Sequence, residues 1–147
     1  MRQALVVPQE KIQLLWPRKR SKLSLPLLSP AVANILQVAY YQGLLITRAR
    51  MLESRGYHVT SVLGNDKAFG LDAAVIAAAD LIVIGFSAPY PVRAAMIHWF
   101  KQQYPNIPVV ALRFHSAESF PEADGGNVSD DPDVWLVAVA STLKKPT

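Results

Sequence analysis

From residue 34 onward, short apolar runs alternate with stretches whose apolar positions recur at helical spacing. Residues 35–40 form an apolar run of strand length, and residues 43–55 then place apolar side chains on one helix face. Residues 57–63 alternate and are rich in β-branched side chains, which is typical of a strand. The continuous apolar run 81–86 predicts a central parallel strand that is buried on both faces.

The same alternation continues to the end of the chain. We predict an alanine-rich helix over 71–79, a fourth strand over 107–112 and a short fifth strand from Val128. An acidic cap at Asp131, followed by Pro132 in the first turn, predicts the start of a last helix. The helix predicted over 92–104 has an apolar face formed by Val92, Ala95, Met96, Trp99 and Phe100.

This order of elements predicts an α/β fold of the doubly wound, flavodoxin-like type. We expect a five-stranded, mostly parallel sheet in the order 2-1-3-4-5, with helices on both faces. The stretch between Arg113 and Val128 contains Pro121 and two glycines. It leaves little room for a helix with two connecting loops. We therefore predict that the helix between the fourth and fifth strands is short or absent.

Residues 1–33 differ from the rest of the chain in composition. They carry six basic residues against one acidic residue, and they include four prolines. Because prolines interrupt every apolar piece, we predict a basic, weakly ordered arm over 1–33 and a globular domain over 34–147. The basic run Arg18, Lys19, Arg20 and Lys22 is the one candidate contact for nucleic acid or an anionic surface.

Several classes of function are excluded by what the sequence lacks. There is no cysteine, so disulfide frameworks, cysteine metal sites and cysteine nucleophiles are ruled out. No apolar run approaches the roughly 20 residues that a membrane-spanning helix needs, and the location that we expect is cytoplasmic. His58, His98 and His115 have no second ligand at metal spacing. We expect no catalytic residue, no metal site and no cofactor.

Five segments of the globular part are similar to consecutive elements of one known family. They are ILQVAYYQGLLITRARML at 35–52, LESRGYHVTSV at 52–62, ADLIVIGFSAPYP at 79–91, YPNIPVVALRFHSAES at 104–119 and SDDPDVWLVAVASTLKK at 129–145. Their order and spacing resemble those of the receiver domain of response regulators in two-component signalling. The resemblance covers residues 34–147 and implies the same doubly wound fold.

The resemblance also implies where a phosphorylation site belongs. In receivers, an acidic pair ends the first strand and an aspartate ends the third, and together they hold Mg²⁺ and accept a phosphoryl group. Here the acidic pair falls on Ala39 and Tyr40, or on Tyr40 and Tyr41 after a shift of one residue. The acceptor falls on Gly85, which has no side chain. If the third strand is misaligned, Asp80 is the next candidate.

Two further family positions are changed as well. The hydroxyl residue that ends the fourth strand falls on Arg113, and the lysine after the fifth falls near Ser129 or Asp130. Arg113 either places a cation near the carboxyl ends of the strands or extends to solvent. Ser87, two residues after the acceptor position, lacks the carboxylates of a metal site. We expect Tyr41, Ser87 and Arg113 to line a cleft for recognition instead of chemistry.

These changes predict a pseudo-receiver, which is a non-enzymatic signalling domain that binds a protein partner without phosphorylation. Two alternatives stay open. One is a flavodoxin-like domain that binds a flavin or a corrinoid at the carboxyl ends of its strands. The other is a basic arm that binds nucleic acid, with the domain as a passenger. The sequence leaves the homo-oligomeric state undecided, because the helix that receivers often use for dimerisation is doubtful here.

Overall fold

The computed structural model describes residues 32–127, 129 and 131–144, so the predicted arm lies outside the described residues up to residue 31. Five strands form one parallel sheet in the order β2-β1-β3-β4-β5, which confirms the predicted topology. The strands are β1 (Asn34–Ala39), β2 (His58–Leu63), β3 (Leu81–Ile84), β4 (Val109–Leu112) and β5 (Gly125–Asn127).

Five described helices connect or follow these strands. They are α1 (Gln42–Ser54), α2 (Asn65–Phe69), α3 (Ala73–Ala77), α4 (Tyr90–Gln103) and α5 (Pro132–Lys144). Asp131 caps α5, because its carboxylate accepts a hydrogen bond from the amide of Asp133 at 2.9 Å. None of the described helices is both long enough and apolar enough to cross a membrane.

Buried apolar side chains cover both faces of the sheet, since successive residues of a strand point to opposite sides. The face toward α1 and α5 is formed by Ile35, Leu52, Leu81, Val83, Val110, Leu112, Trp135, Leu136 and Val139. The face toward α2, α3 and α4 is formed by Leu36, Val38, Ala68, Ile76, Ala79, Ile82, Ile84, Met96, Ile97, Phe100, Val109 and Ala111. The layers therefore match the helix-on-both-faces arrangement that the alternation predicted.

The crossover from β2 to β3 differs from its prediction. A first short helix, α2, follows Gly64, which has a φ of +87° that suits glycine. The helix predicted over 71–79 begins later, because the Asp72 carboxylate accepts from the amide of Ala74 at 2.9 Å and caps α3. Two short helices thus stand where we predicted a turn and one longer helix.

The buried face of α4 also differs from its prediction. Its buried residues are Arg93, Met96, Ile97 and Phe100, whereas Val92 and Ala95 are exposed. An arginine takes a core-facing position here because a carboxylate elsewhere in the chain neutralises it. The helix also starts at Tyr90 instead of Val92, since Pro91 fits a first turn whose amide needs no partner.

The fifth strand begins at Gly125, so the prediction of a strand starting at Val128 is wrong; Val128 itself lies outside the described residues. A Cβ on Gly125 would lie 2.6 Å from the hydroxyl oxygen of Thr142 in α5. The absence of that Cβ lets α5 pack directly on the strand. Two adjacent glycines are typical of a turn, but here they lie in a strand, and Gly125 allows the helix to approach it closely.

No helix connects β4 to β5, as predicted. The connection is an irregular segment over residues 113–124, here called the strap, which contains two turns and contacts α4. The strap ends where the amide of Asp124 donates to the carbonyl of Val109 at 2.8 Å. Half-buried Phe120 and Ala123 pack against the core beneath it.

Candidate functional site

The positions assigned from the family resemblance lie together at the carboxyl edge of the sheet. Ala39 is the last residue of β1, Gly85 follows β3, and Arg113 follows β4. The amide of Gly85 donates to the carbonyl of Val38 at 2.9 Å, so the ends of β1 and β3 are adjacent. In doubly wound sheets, ligands bind at the carboxyl ends of the strands, and these positions lie at that edge.

A buried cation fills the space beside Gly85. Arg48, on the sheet-facing side of α1, is 3% exposed. Its Nη1 lies 2.8 Å from the position that a Cβ on Gly85 would occupy. The guanidinium carbon also lies 5.1 Å from the centre of the Phe86 ring, a cation–π distance. The Arg48 guanidinium therefore occupies space that a side chain at position 85 would need.

Tyr40 connects the end of β1 to two helices. Its hydroxyl donates to the side-chain oxygen of Asn65 at 2.7 Å, and the amide nitrogen of Asn65 donates to the carbonyl of Val92 at 3.0 Å. Burial raises the pKa of the Tyr40 phenol well above its usual value, although the charge of Arg93 opposes that shift. Tyr40 is therefore a neutral hydrogen-bond donor at this edge.

A second buried arginine, Arg93 of α4, is paired with the strap. Arg93 is 2% exposed, and both of its terminal nitrogens donate to the Glu118 carboxylate. The amide of Phe114 donates to the same carboxylate at 2.8 Å. Hydrogen bonds from Arg93, helped by the bond from the Phe114 amide, lower the pKa of Glu118 to about 2. Glu118 is therefore ionised throughout the physiological range.

Arg113 is half-buried and is held by the strap. Its Nη1 donates to the backbone carbonyl of Glu118 at 2.8 Å. Its Nε is buried and has no hydrogen-bond partner among the described residues. The turn of the strap therefore brings an acceptor back to the half-buried side chain of Arg113.

The other predicted cleft residues are spread over the loops of this edge. Tyr41 is 63% exposed and its ring packs on Gly43, while Ser87 is exposed after β3. Ser129 accepts a hydrogen bond from the amide of Asp131 at 2.9 Å. Within the part of the chain that the structure describes, no hydrogen bond, ion pair or ring contact joins Tyr41 to Ser87.

Asp80 lies at the opposite edge of the sheet, so it cannot serve as the alternative acceptor. It precedes β3, and its carboxylate accepts from the amide of Asn34 at 2.7 Å. The length of β3, about 3.3 Å per residue, separates Asp80 from Gly85. The carboxylate therefore fixes the start of β1 and takes no part in the site.

Comparison with solved structures identifies the architecture. The chemotaxis response regulator CheY4 of Vibrio cholerae superposes with a TM-score of 0.64 at 20% identity, covering 76% of this chain and 99% of that one. The response regulator TrrA of Thermotoga maritima, in complex with Mg²⁺-BeF, gives 0.64 at 16% identity, and the coverage is the same. The chain has the fold of a response-regulator receiver domain.

The likeness extends beyond chemotaxis proteins. A CheY-like receiver domain from Methylobacillus flagellatus matches with a TM-score of 0.62 at 16% identity, covering 76% of this chain and 99% of that one. No family model matches the sequence, and no curated protein matches it. The receiver fold is therefore recognisable in three dimensions although the sequence identity to these three structures is only 16–20%.

The residues at this edge do not fit the Mg²⁺ ion of a receiver. Ala39 and Gly85 offer no side-chain oxygen, and the Arg48 guanidinium lies beside Gly85. Hard cations such as Mg²⁺ need carboxylate or other oxygen ligands. Within the described part of the chain, no three His, Asp or Glu side chains are grouped closely enough to hold a metal ion.

Sequence reasoning missed three residues of the site: Arg48, Arg93 and Glu118. Both arginines occupy the spacing of apolar positions on a helix, with Arg48 four residues before Leu52 and Arg93 three residues before Met96. A charged residue at such a position requires a buried partner. The sequence signal for these two residues was therefore a charge at an apolar position of a helix. The carboxylate partner of Arg93 is 25 residues away, beyond what periodicity can detect.

Proposed function

We propose that this domain is an atypical receiver that acts in signal transduction through phosphorylation-independent protein–protein contacts, without catalysis. The observation that carries the proposal is the position of the Arg48 guanidinium, which lies directly beside Gly85. Phosphoryl transfer to a receiver needs a carboxylate nucleophile and a metal ion that neutralises charge. Position 85 offers no nucleophile, and a fixed cation lies beside it.

Exposed aromatic side chains at the same edge support a role in protein binding. Phe114 is 70% exposed, and its ring lies 5.9 Å from that of Phe86. Tyr41 is exposed after β1. Aromatic residues are enriched among those that contribute most to protein interfaces. The loops after β1, β3 and β4 thus offer a partner apolar anchors near the place where receivers carry their acidic cluster.

The test is incubation with Mg²⁺ and acetyl phosphate, followed by intact-mass measurement, with a phosphorylatable receiver as the positive control. We expect no added phosphoryl group. We also expect none for the variant Gly85→Asp, because the new carboxylate would pair with Arg48 and would still lack its acidic neighbours. A hydroxylamine-labile phosphoryl group on the unmodified protein would overturn the proposal.

The two alternatives from the sequence stay predictions with direct tests. A bound flavin or corrinoid would give the purified protein a visible absorbance band. Binding to nucleic acid by the arm would weaken steeply as salt rises, and it would disappear when Arg18, Lys19, Arg20 and Lys22 are replaced by glutamine. Absence of both signals, together with the unchanged mass, would leave protein binding as the remaining function.

A further inference from the structure

The Glu118 carboxylate occupies a three-donor oxyanion site. Arg93 donates through Nη1 to Oε1 at 2.9 Å and through Nη2 to Oε2, and the Phe114 amide adds a third bond to Oε1. A planar guanidinium that binds two oxygens of one anion is the geometry with which proteins recognise carboxylates and phosphates. The Nε of Arg113, buried and without a partner among the described residues, provides a further donor on the strap.

The cation of this site belongs to the body of the domain. Arg93 is 2% exposed, and its Nε donates to the carbonyl of Ala88 at 2.7 Å, which fixes the plane of the guanidinium. Because arginine stays charged at all relevant pH values, the buried guanidinium always requires an anion. The site is thus built into α4 and the loop that precedes it.

The anion, in contrast, is supplied by a weakly attached segment. From Phe114 to Ala123, the backbone hydrogen bonds recorded for the strap are local: Glu118 to His115 at 3.1 Å, and Ala123 to Phe120 at 3.0 Å. Side chains of α4 and of Arg113 make the remaining polar attachments, including a hydrogen bond from the Tyr90 hydroxyl to the Ser119 carbonyl. Segments with few buried contacts and exposed backbone open at low free-energy cost.

We propose that Arg93 is an oxyanion-binding residue and that Glu118 is its internal, displaceable ligand. A carboxylate or phosphate group of an incoming ligand takes the place of Glu118 on the guanidinium and releases the strap. The exchange conserves the charged hydrogen bonds, whereas opening without a ligand leaves a buried charge unpaired. This inference goes beyond the proposed signalling function and does not depend on it.

Release of the strap has a structural consequence. The ring of Phe120 stacks on Tyr90 at 4.8 Å, and the Arg93 guanidinium lies 5.2 Å from the centre of the Phe120 ring. Removal of the strap from α4 would carry Phe120 away and uncover the face of the Tyr90 ring on which it stacks. Binding of an anion would therefore increase the exposure of Tyr90.

The first experiment removes the Glu118 carboxylate from Arg93. The full chain carrying Glu118→Ala is titrated with inorganic phosphate and, separately, with acetate, and the Arg93 Nε–H signal is followed by NMR. We expect binding in the millimolar range, at least tenfold tighter than for the unmodified protein. Glu122→Ala, which removes an exposed carboxylate of the same strap, is the matched control and should behave like the unmodified protein. The double variant Arg93→Lys/Glu118→Ala should lose the binding.

The two anions distinguish the sources of the ligand. Tighter binding of phosphate points to a phosphorylated ligand, and tighter binding of acetate points to an acidic side chain or metabolite. If Glu118→Ala binds neither anion, the assignment of Arg93 as an oxyanion site is overturned. If that variant fails to fold, Glu118→Gln keeps the shape of the side chain without its charge and receives the same titrations.

The second experiment tests displacement in the unmodified protein. Amide exchange of residues 114–123 is compared in phosphate and in chloride at equal ionic strength. We expect at least twofold faster exchange in phosphate, with β1 and β3 unchanged. Glu118→Gln should exchange roughly tenfold faster in either salt, since a charged hydrogen-bond pair is lost. Equal exchange of the unmodified strap in the two salts would overturn displacement.

Discussion

Two crossovers of the same sheet are built in opposite ways. The connection from β1 to β2 contains α1, whose backbone hydrogen bonds are satisfied within the helix and whose Leu52 is fully buried. The connection from β4 to β5 is the strap, which leaves His115 and Pro121 exposed and depends on side chains of α4. A parallel crossover therefore needs a segment that covers the sheet, but that segment need not be a helix.

The difference should appear first in the free energy of unfolding. Leu52→Ala removes a fully buried side chain from the core beneath α1 and should cost about 2–5 kcal/mol. Phe120→Ala in the strap removes a half-buried ring and should cost less than half as much, because the strap can adjust. Urea denaturation measures both values. Equal losses would show that the strap is as integral to the core as α1.

Acid should loosen the strap before it affects α1. The Glu118 pKa is lowered from 4.5 to about 2, so the pairing with Arg93 contributes stability above pH 4.5 that is lost as the pH falls toward 2. The expected loss is about 1.5–3 kcal/mol, the range for hydrogen bonds to charged groups. Unfolding measured between pH 6 and pH 2 should show this component, and Glu118→Gln should lack it.

The smallest effect concerns the solvent-exposed end of the strap. The Nδ1 of His98 lies 3.0 Å from a carboxylate oxygen of Glu122, with both side chains largely exposed. Glu122→Gln should change the free energy of unfolding by less than about 0.5 kcal/mol, since solvent screens such pairs. A loss comparable to that of Glu118→Gln would mean that the strap is held along its whole length instead of at Arg93.

The sheet was predictable from sequence because each buried strand carries its own signal. Residues 81–84 are continuously apolar, and this fixed β3 without knowledge of any contact. The cap at Asp131 is equally local. The glycine pair of β5 was misassigned because its role depends on Thr142, which lies in a different element. Local patterns therefore predicted most strands and helices, whereas the start of β5 depends on packing against another element.

The site was less predictable than the fold. The family resemblance indicated which edge of the sheet to inspect, because strand order determines which strand ends are adjacent. The replacement at Gly85 could not be found in that way, since Arg48 comes from a helix in which it occupies an ordinary amphipathic position. An internal ion pair such as Arg93–Glu118 is defined by the folded chain alone.

The guanidinium beside Gly85 also limits how this site can change through mutation. A single substitution that placed a carboxylate at position 85 would produce an internal ion pair with Arg48, so it would gain no metal ligand. Carboxylates at Ala39 or Tyr40 would place further charge at the end of β1, where Ala39 is buried and Tyr40 half-buried. Under the proposed function, a metal site at this edge would therefore require the replacement of Arg48 as well as new carboxylates.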